Sequence, residues 1–474
     1  TTTGGNALKF FASQRIEIRK GDKIMDSVEI SRFLTGMTLA VHIIFATVGV
    51  GMPLMFAIAE FLGIKNKDPK YIALAKRWSK GYTITVAVGV VTGTIIGLQL
   101  SLIWPTFMKM GGHVIALPLF METFAFFFEA IFLSIYLYTW DRFKNKWTHF
   151  IISIPVIIGG SFSAFFITSV NSFMNTPAGF EMKDGKMVNV QPLEAMFNSS
   201  FLVRAFHVVA TAGMTMAFIL ASIAAFKLLK NKYNKDAEYH KKALKMTMIV
   251  GFISTLLSML AGDLSAKFLH QVQPEKLAAY EWHFDTQSKA DLVFFGVLNE
   301  KTQEVEGAIK IPGMLSFLAD NNVNTKVEGL NDFPKNELPP LIVHYFFDLM
   351  VTMGVLCFVI SGAFILTLMI KKLRKYVTHK GMLYAVLLTG PAAMLAIEFG
   401  WFLTEVGRQP WIVRGYMRVS EAATQAGGIT LVTILFGLLY LVLLFTSAYV
   451  LIRMFKDKPA QDDVDKVIEK GGHA

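Results

Sequence analysis

Residues 400–411 read Gly-Trp-Phe-Leu-Thr-Glu-Val-Gly-Arg-Gln-Pro-Trp and place a carboxylate, a guanidinium and two indoles at the end of a long apolar stretch. Glu398 precedes Glu405 by seven residues, which on a helix means one face, two turns apart. Ionisable groups inside an apolar helix are costly to desolvate and mark functional positions. Two acids on one stripe, with Trp401 and Arg408 beside them, suit a site that holds a cofactor or exchanges protons.

The same spacing recurs at Glu122 and Glu129, amid Phe124, Phe126, Phe127 and Phe128. Two acids in a phenylalanine-lined helix cannot both ionise cheaply, so proton exchange is expected of them, and Asp263 is a further isolated acid. His42 and His207 also lie in apolar surroundings. A lone histidine there is as readily a hydrogen-bond partner for a neighbouring helix as a metal ligand. Haem iron accepts a neutral imidazole axially, and Arg204, one turn from His207, could pair with a propionate. Met350 could supply a thioether opposite His207, since His/Met ligation makes an electron-transfer haem. In a chain with 24 methionines, such a Met is more often packing.

The elements that must position these residues are membrane helices. The chain has 474 residues, 53% hydrophobic and 17% charged, with a mean hydropathy of +0.48, too apolar for a soluble globular protein. The formal charge of +11 sits in short basic runs between apolar segments, so it reads as topology signal and not as nucleic-acid binding. One cysteine, Cys357, rules out a disulfide framework, covalent c-type haem and a cysteine-ligated iron–sulfur cluster. Any redox chemistry must use non-covalent cofactors.

The fold class is an all-α polytopic bundle of about nine spans, near 33–63, 82–104, 117–140, 149–171, 202–228, 246–268, 341–370, 382–404 and 430–453. Basic connections after the first, third, fifth, seventh and ninth spans predict those ends to be cytoplasmic and the N-terminus outside. The segments near 105–116, 172–201, 269–340 and 405–429 then lie outside. Residues 1–24 carry Lys9, Arg15, Arg19, Lys20 and Lys23 against that topology; they lack the h-region of a signal peptide and are set apart as an N-terminal extension. The remaining divisions are 25–268 with six spans, a polar outer loop at 269–340, three more spans over 341–455, and a charged cytoplasmic tail at 456–474. In the loop, Gln-Pro-Glu-Lys-Leu-Ala-Ala-Tyr-Glu over 273–281 predicts a turn and a short helix, with Lys276 and Glu281 available to a polar ligand. On pattern alone an ordinary solvated helix is the weightier expectation.

Gly-Trp-Phe-Leu-Thr-Glu-Val-Gly-Arg-Gln-Pro-Trp, the Gln-Pro-Glu-Lys-Leu-Ala-Ala-Tyr-Glu loop, Ser31-Arg32 followed by His42, and the Phe-rich Glu129 helix together resemble subunit I of the cytochrome bd-type quinol oxidases, from about Met25 to the end of the ninth span. The resemblance implies a multi-pass protein of a prokaryotic cell membrane with a low-spin haem b, a high-spin haem b and a haem d. By position His207 and Met350 match the low-spin ligands, and His42 and Glu405 match those of the two high-spin haems, in an order the motifs leave open. Lys276 and Glu281 match quinol-contacting positions, Trp401 an aromatic between haems, and Glu129 a proton-path acid. It also implies a similar-sized subunit II and, in some members, a small single-span subunit. Quinol is then oxidised at the outer face and O2 reduced to water with cytoplasmic protons, which charges the membrane without pumping.

The chain departs from that pattern in three places. Asp348 stands where the family usually has Arg, two residues before the Met ligand, with His344 or Arg204 as candidates to compensate. Glu122 stands one residue closer to Glu129 than in common members, a rotation of about 100°. The loop is short, which places the chain in the short-loop branch; divergent, cyanide-insensitive-type members carry haem b in place of haem d. Two rival functions are a haem-b electron-transfer subunit that reduces no O2, and a haem-free transporter. The repeats and paired helix breaks common in transporters are not seen.

Overall fold

The computed structural model describes residues 27–230, 235–456 and 458–470, so the extension at 1–24 lies outside the described residues. Among them, nine helices are long and apolar enough to cross a membrane: Ser27–Lys65, Pro69–Ile103, Pro105–Tyr138, Lys146–Asn175, Phe201–Lys230, Ala237–Val272, Val343–Met369, Lys380–Val406 and Ile429–Lys456. We number these the first to ninth spans. Local chemistry sets several ends. Asp68 caps the second span by accepting from the Lys70 amide, Asn145 caps the fourth through Trp147, and Pro69 and Pro105 occupy first-turn positions where no amide is needed.

The helices outrun the apolar stretches that announce them. The segment 105–116, expected as an outer connection, is the opening of the third span, separated from the second by Trp104 alone. Its Lys-Met-Gly-Gly-His composition hides a helix that Pro105 starts. Similarly, the fourth span continues past 171 to Asn175, carrying Asn171 and Asn175 into the bundle.

Packing divides the spans into two groups of four. The first packs on the second, the third on the fourth, and the first on the fourth; the fifth to eighth close a second ring, each against the next and the eighth back on the fifth. The groups meet where the first span crosses the fifth at Gly51, where a Cβ would lie 2.5 Å from the Ala212 carbonyl oxygen. Small residues at such a crossing let two membrane helices approach to backbone contact. The ninth span leans on the first and second and buries only Ile429, Tyr440 and Ser447, with the Tyr440 hydroxyl 2.7 Å from that of Thr38.

At the basic end of the first group lies a closed polar core. His149 Nδ1 is 2.6 Å from Glu60 Oε1, the Tyr136 hydroxyl donates to Glu60 Oε2 at 2.8 Å, and His149 Nε2 meets the Tyr136 carbonyl at 2.9 Å. The tail expected only as charged chain contains the Ala460–Glu469 helix, which packs on the second span with Ala460, Val464 and Val467 buried; Arg77 pairs with its Asp463 at 2.7 Å.

At the opposite end, the long loop folds into a short helix, Pro274–Tyr280, followed by a narrow antiparallel ribbon. Leu292–Phe294 pairs with Ile309–Ile311, and Val297–Asn299 pairs with Glu304–Glu306 beyond a bend at Phe295 and Gly296.

Candidate functional site

The sequence-selected residues of the second group gather at its loop end. His207 lies in the second turn of the fifth span with its Nδ1 buried and without a hydrogen-bond partner. A Cβ at Gly262 of the sixth span would lie 3.9 Å from the ring. Met350, in the second turn of the seventh span, points its sulfur at the eighth: a Cβ at Gly400 would sit 3.1 Å from Sδ. Met350 packs in one apolar cluster with Ala278, Ala279 and Tyr280 of the loop helix and Leu403 of the eighth span.

That loop helix is not solvated. Lys276 is 4% and Glu281 2% exposed, which overturns the expectation from pattern alone. The physical reason is the Ala278-Ala279 face, small enough to bury against Leu403 and Val343, with the Gln273 amide donating to the Asn175 carbonyl at 2.8 Å. Lys276 Nζ donates to Asn175 Oδ1 at 2.7 Å. Burial, followed by the positive fields of Arg204, Arg408 and Arg414, holds the Lys276 ammonium well below the usual lysine range. Burial, reinforced by Asp348, pushes the Glu281 carboxyl well up, and its Oε2 has no partner.

Glu405 and Arg408 pair with each other one turn apart. Glu405 Oε1 also accepts from Asn171 Nδ2 at 2.8 Å, and Asn171 Oδ1 accepts from Arg204 at 3.3 Å. Asn175 Nδ2 in turn donates to the Asn171 carbonyl at 2.9 Å. Two amides of the fourth span thus join Glu405, Arg204 and Lys276. Sequence reasoning missed both; the available signal was a pair of Asn one turn apart at the end of an apolar helix. Glu398 and Trp401, upstream on the same helix, are half-buried, with Glu398 Oε1 unpaired. Of the two residues expected to compensate for Asp348, His344 lies beside it, Nε2 3.2 Å from Oδ2, without forming a hydrogen bond there. Asp263 is paired with Lys267 one turn on, a local bridge.

In the first group, His42 Nδ1 is 2.9 Å from Thr92 Oγ1. The Thr92 hydroxyl already donates to the Val88 carbonyl at 3.0 Å, so it accepts from His42 Nδ1–H and leaves Nε2 with a free lone pair. Glu129 accepts from the Tyr82 hydroxyl and backs onto Gly159, while Glu122 accepts from Ser163 at 3.0 Å. Despite the altered spacing, both acids address the fourth span.

Among the described residues no three His, Cys, Asp or Glu converge, so a bare ion would find no cage. Unpaired imidazole nitrogens, a thioether and a carboxylate on separate helices fit an iron already held in a macrocycle, which asks for only one or two axial donors. Half-buried Arg204 and buried Arg408, the latter with an unpartnered Nε, are suited to the anionic edge of such a group.

Residues 30–459 match the family described as cytochrome bd terminal oxidase subunit I. The chain is 56% identical to the bd oxidase structure from Geobacillus thermodenitrificans, with a TM-score of 0.87 over 92% of this chain and 99% of that one. It is 32% identical to cytochrome bd ubiquinol oxidase subunit 1 of Bacillus subtilis, covering 93% of this chain and 95% of the relative. A second Bacillus subtilis subunit I, provisionally named a menaquinol oxidase, is 41% identical over 93% of this chain and 99% of its own length. With nine candidate spans and bacterial relatives of nearly equal length, this is a multi-pass cell-membrane protein, and it belongs to the cytochrome bd terminal oxidase subunit I family.

Proposed function

We propose that this chain is the haem-bearing subunit of a quinol:O2 oxidoreductase that charges the membrane without pumping. The observation that carries the reading is the loop helix: its buried Lys276 and Glu281 flank an Ala-Ala-Tyr segment packed in the same cluster as Met350. A quinol held there would sit beside the residue assigned to the electron-accepting iron.

In this reading the N-terminus and the 269–340 loop face outward, and the basic connections face the cytoplasm. Lys276 and Glu281 orient the quinol hydroxyls, and the quinol protons leave on the loop side. His207 and Met350 hold the low-spin haem b, while His42 and Glu405 hold the high-spin haem b and haem d, or a further haem b in its place. When bound, these groups supply the one-electron steps between a two-electron donor and O2. Arg204 and Arg408 neutralise carboxylate charge at their edge, and Asn171 fixes Glu405 relative to Arg204. Trp401 lies on the same helix between Glu398 and Glu405 as an aromatic contact between sites. Glu129, held by Tyr82, and Glu122, held by Ser163, store protons arriving from the cytoplasmic side, with Glu398 as a further acid on the eighth span. Protons consumed from one side and released on the other store about 2.3 kcal/mol per charge per 100 mV.

The complex requires a second membrane subunit of similar size, and a small single-span subunit completes it in some relatives. Exposed apolar side chains of the second and third spans, among them Leu98, Leu102, Phe120 and Phe127, would be covered by lipid or by such a neighbour. A dithionite-reduced minus air-oxidised spectrum with haem extraction, run beside oxygen uptake on reduced quinol, tests the reading. Two haems b with a far-red haem d band, or three haems b, together with oxygen uptake, support it. A colourless protein, or a coloured one without oxygen uptake, overturns it.

A further inference from the structure

Asp348 is fully buried, as is His344 one turn before it. Where a cation is the expected residue, this carboxylate has found a backbone donor in the loop: Asp348 Oδ2 accepts from the Phe295 amide at 2.6 Å. Phe295 is the first residue of the bend in the ribbon and holds a φ of 55°, followed by Gly296 at 106°. A bulky aromatic at positive φ persists only where its surroundings over-determine it. The neighbouring Tyr345 hydroxyl donates to the Gly296 carbonyl at 3.0 Å, so two side chains of one helical turn grip both sides of the bend. The same turn also holds the base of the loop helix. His344 Nδ1 meets the Tyr280 carbonyl at 2.7 Å, and the Trp282 ring stacks on His344 with centroids 3.9 Å apart. One turn of the seventh span, two residues before Met350, therefore fixes the loop at Tyr280–Trp282 and at Phe295–Gly296.

We propose that Asp348 is a positioning residue for the quinol reaction: its carboxylate clasps the Phe295–Gly296 bend and so holds Lys276 and Glu281 in register with the helix that carries Met350. The inference rests on the reading that this loop receives quinol. The Asp348–Phe295 bond needs an acceptor oxygen and no particular charge, so Asp348→Asn should largely preserve it, whereas Asp348→Ala removes it. A replacement by the cation of the family pattern would leave the Phe295 amide buried without an acceptor.

The test uses the purified complex and two measurements. Amide hydrogen exchange over residues 293–297 should speed up about tenfold or more in Asp348→Ala and much less in Asp348→Asn. Steady-state kinetics with reduced quinol should show KM raised about five- to tenfold in Asp348→Ala, with kcat at saturating quinol within about twofold of wild type. Unchanged exchange at 293–297 in Asp348→Ala overturns the clasp. Faster exchange with unchanged KM, or a fall in kcat alone, overturns its role in positioning quinol. If wild type itself oxidises no quinol, the parent reading fails, and the exchange result still decides whether Asp348 holds the bend. Should Asp348→Ala not assemble, Asp348→Leu, which fills a similar volume but offers the Phe295 amide no acceptor, is read by the same two measurements against the same outcomes.

Discussion

Lys276 of the loop donates to Asn175 of the fourth span across 2.7 Å, and so ties the first group of helices to the loop that follows the sixth. Lys276→Ala is expected to raise the KM for quinol about tenfold, as for one lost buried hydrogen bond. Asn175→Leu should do much the same, and the double variant should cost less than the product of the two. Strictly multiplicative effects would show that the contact is idle in binding.

His207→Ala should abolish the low-spin haem spectrum while leaving the protein folded, and Met350→Leu should shift it. His42→Ala should spare that spectrum, because His42 lies in the other group of helices, with Thr92. A low-spin spectrum that survives His207→Ala would remove His207 from the ligand set.

The pH dependence of the loop has a definite sign. Glu281 is held above the usual carboxylate range by burial and Asp348. Its folded form therefore keeps a proton that the unfolded chain releases near pH ~4.3. That contribution to stability is full below the unfolded value and is lost as pH rises through the raised folded value. Lys276, held low, runs the other way: its contribution is full above about 10.4 and is lost as pH falls through its depressed value. Glu281→Gln, which mimics the protonated acid, should flatten the alkaline loosening of residues 274–283 in amide exchange. A variant profile parallel to wild type would remove Glu281 as the cause.

Removing Glu60 strands His149 beside Tyr136 in a core where both partners are about 1% exposed. Glu60→Ala is expected to destabilise the chain by about 1–3 kcal/mol, the cost of leaving a buried hydrogen-bonding group unsatisfied, read as a lowered unfolding midpoint in detergent. A midpoint equal to wild type would mean that water replaces the carboxylate without penalty.

Gly159→Ala would put a Cβ 2.7 Å from the Glu129 Cβ and 2.8 Å from its Cα, against backbone that cannot swing aside. The third and fourth spans must then part, at about 1–3 kcal/mol. Tyr82→Phe removes the donor to Glu129 without moving this seam, so comparing the two variants separates packing from proton chemistry at Glu129.

Much of this architecture can be read from residue order. Apolar stretches and basic connections mark nine spans, and the Trp401–Arg408 motif marks the end of the eighth. Helix ends are less legible, because Lys-Met-Gly-Gly-His after Pro105 and the Asn pair after Val170 look like loop while the backbone remains helical. The burial of Lys276 was not legible either, since it depends on an Asn a hundred residues earlier. For the same reason no pattern around Asp348 announces Phe295, its partner 53 residues upstream. Contacts between distant segments carry no local period, and the site is built mainly from such contacts.

Each group of four spans is contiguous in the chain. As the polypeptide leaves the ribosome, the first four spans can pair in the bilayer before the fifth has been made, because their partners are already present. Under the proposed assignment, that early half offers His42 alone, while His207, Met350 and Glu405 arrive with the second. The Gly51 crossing against Ala212 can close as soon as the fifth span is made, but until the seventh and eighth spans follow, a half-built chain has no complete path for electrons to oxygen under that assignment. Synthesis order would thus keep an unfinished subunit from reducing oxygen in an uncontrolled way.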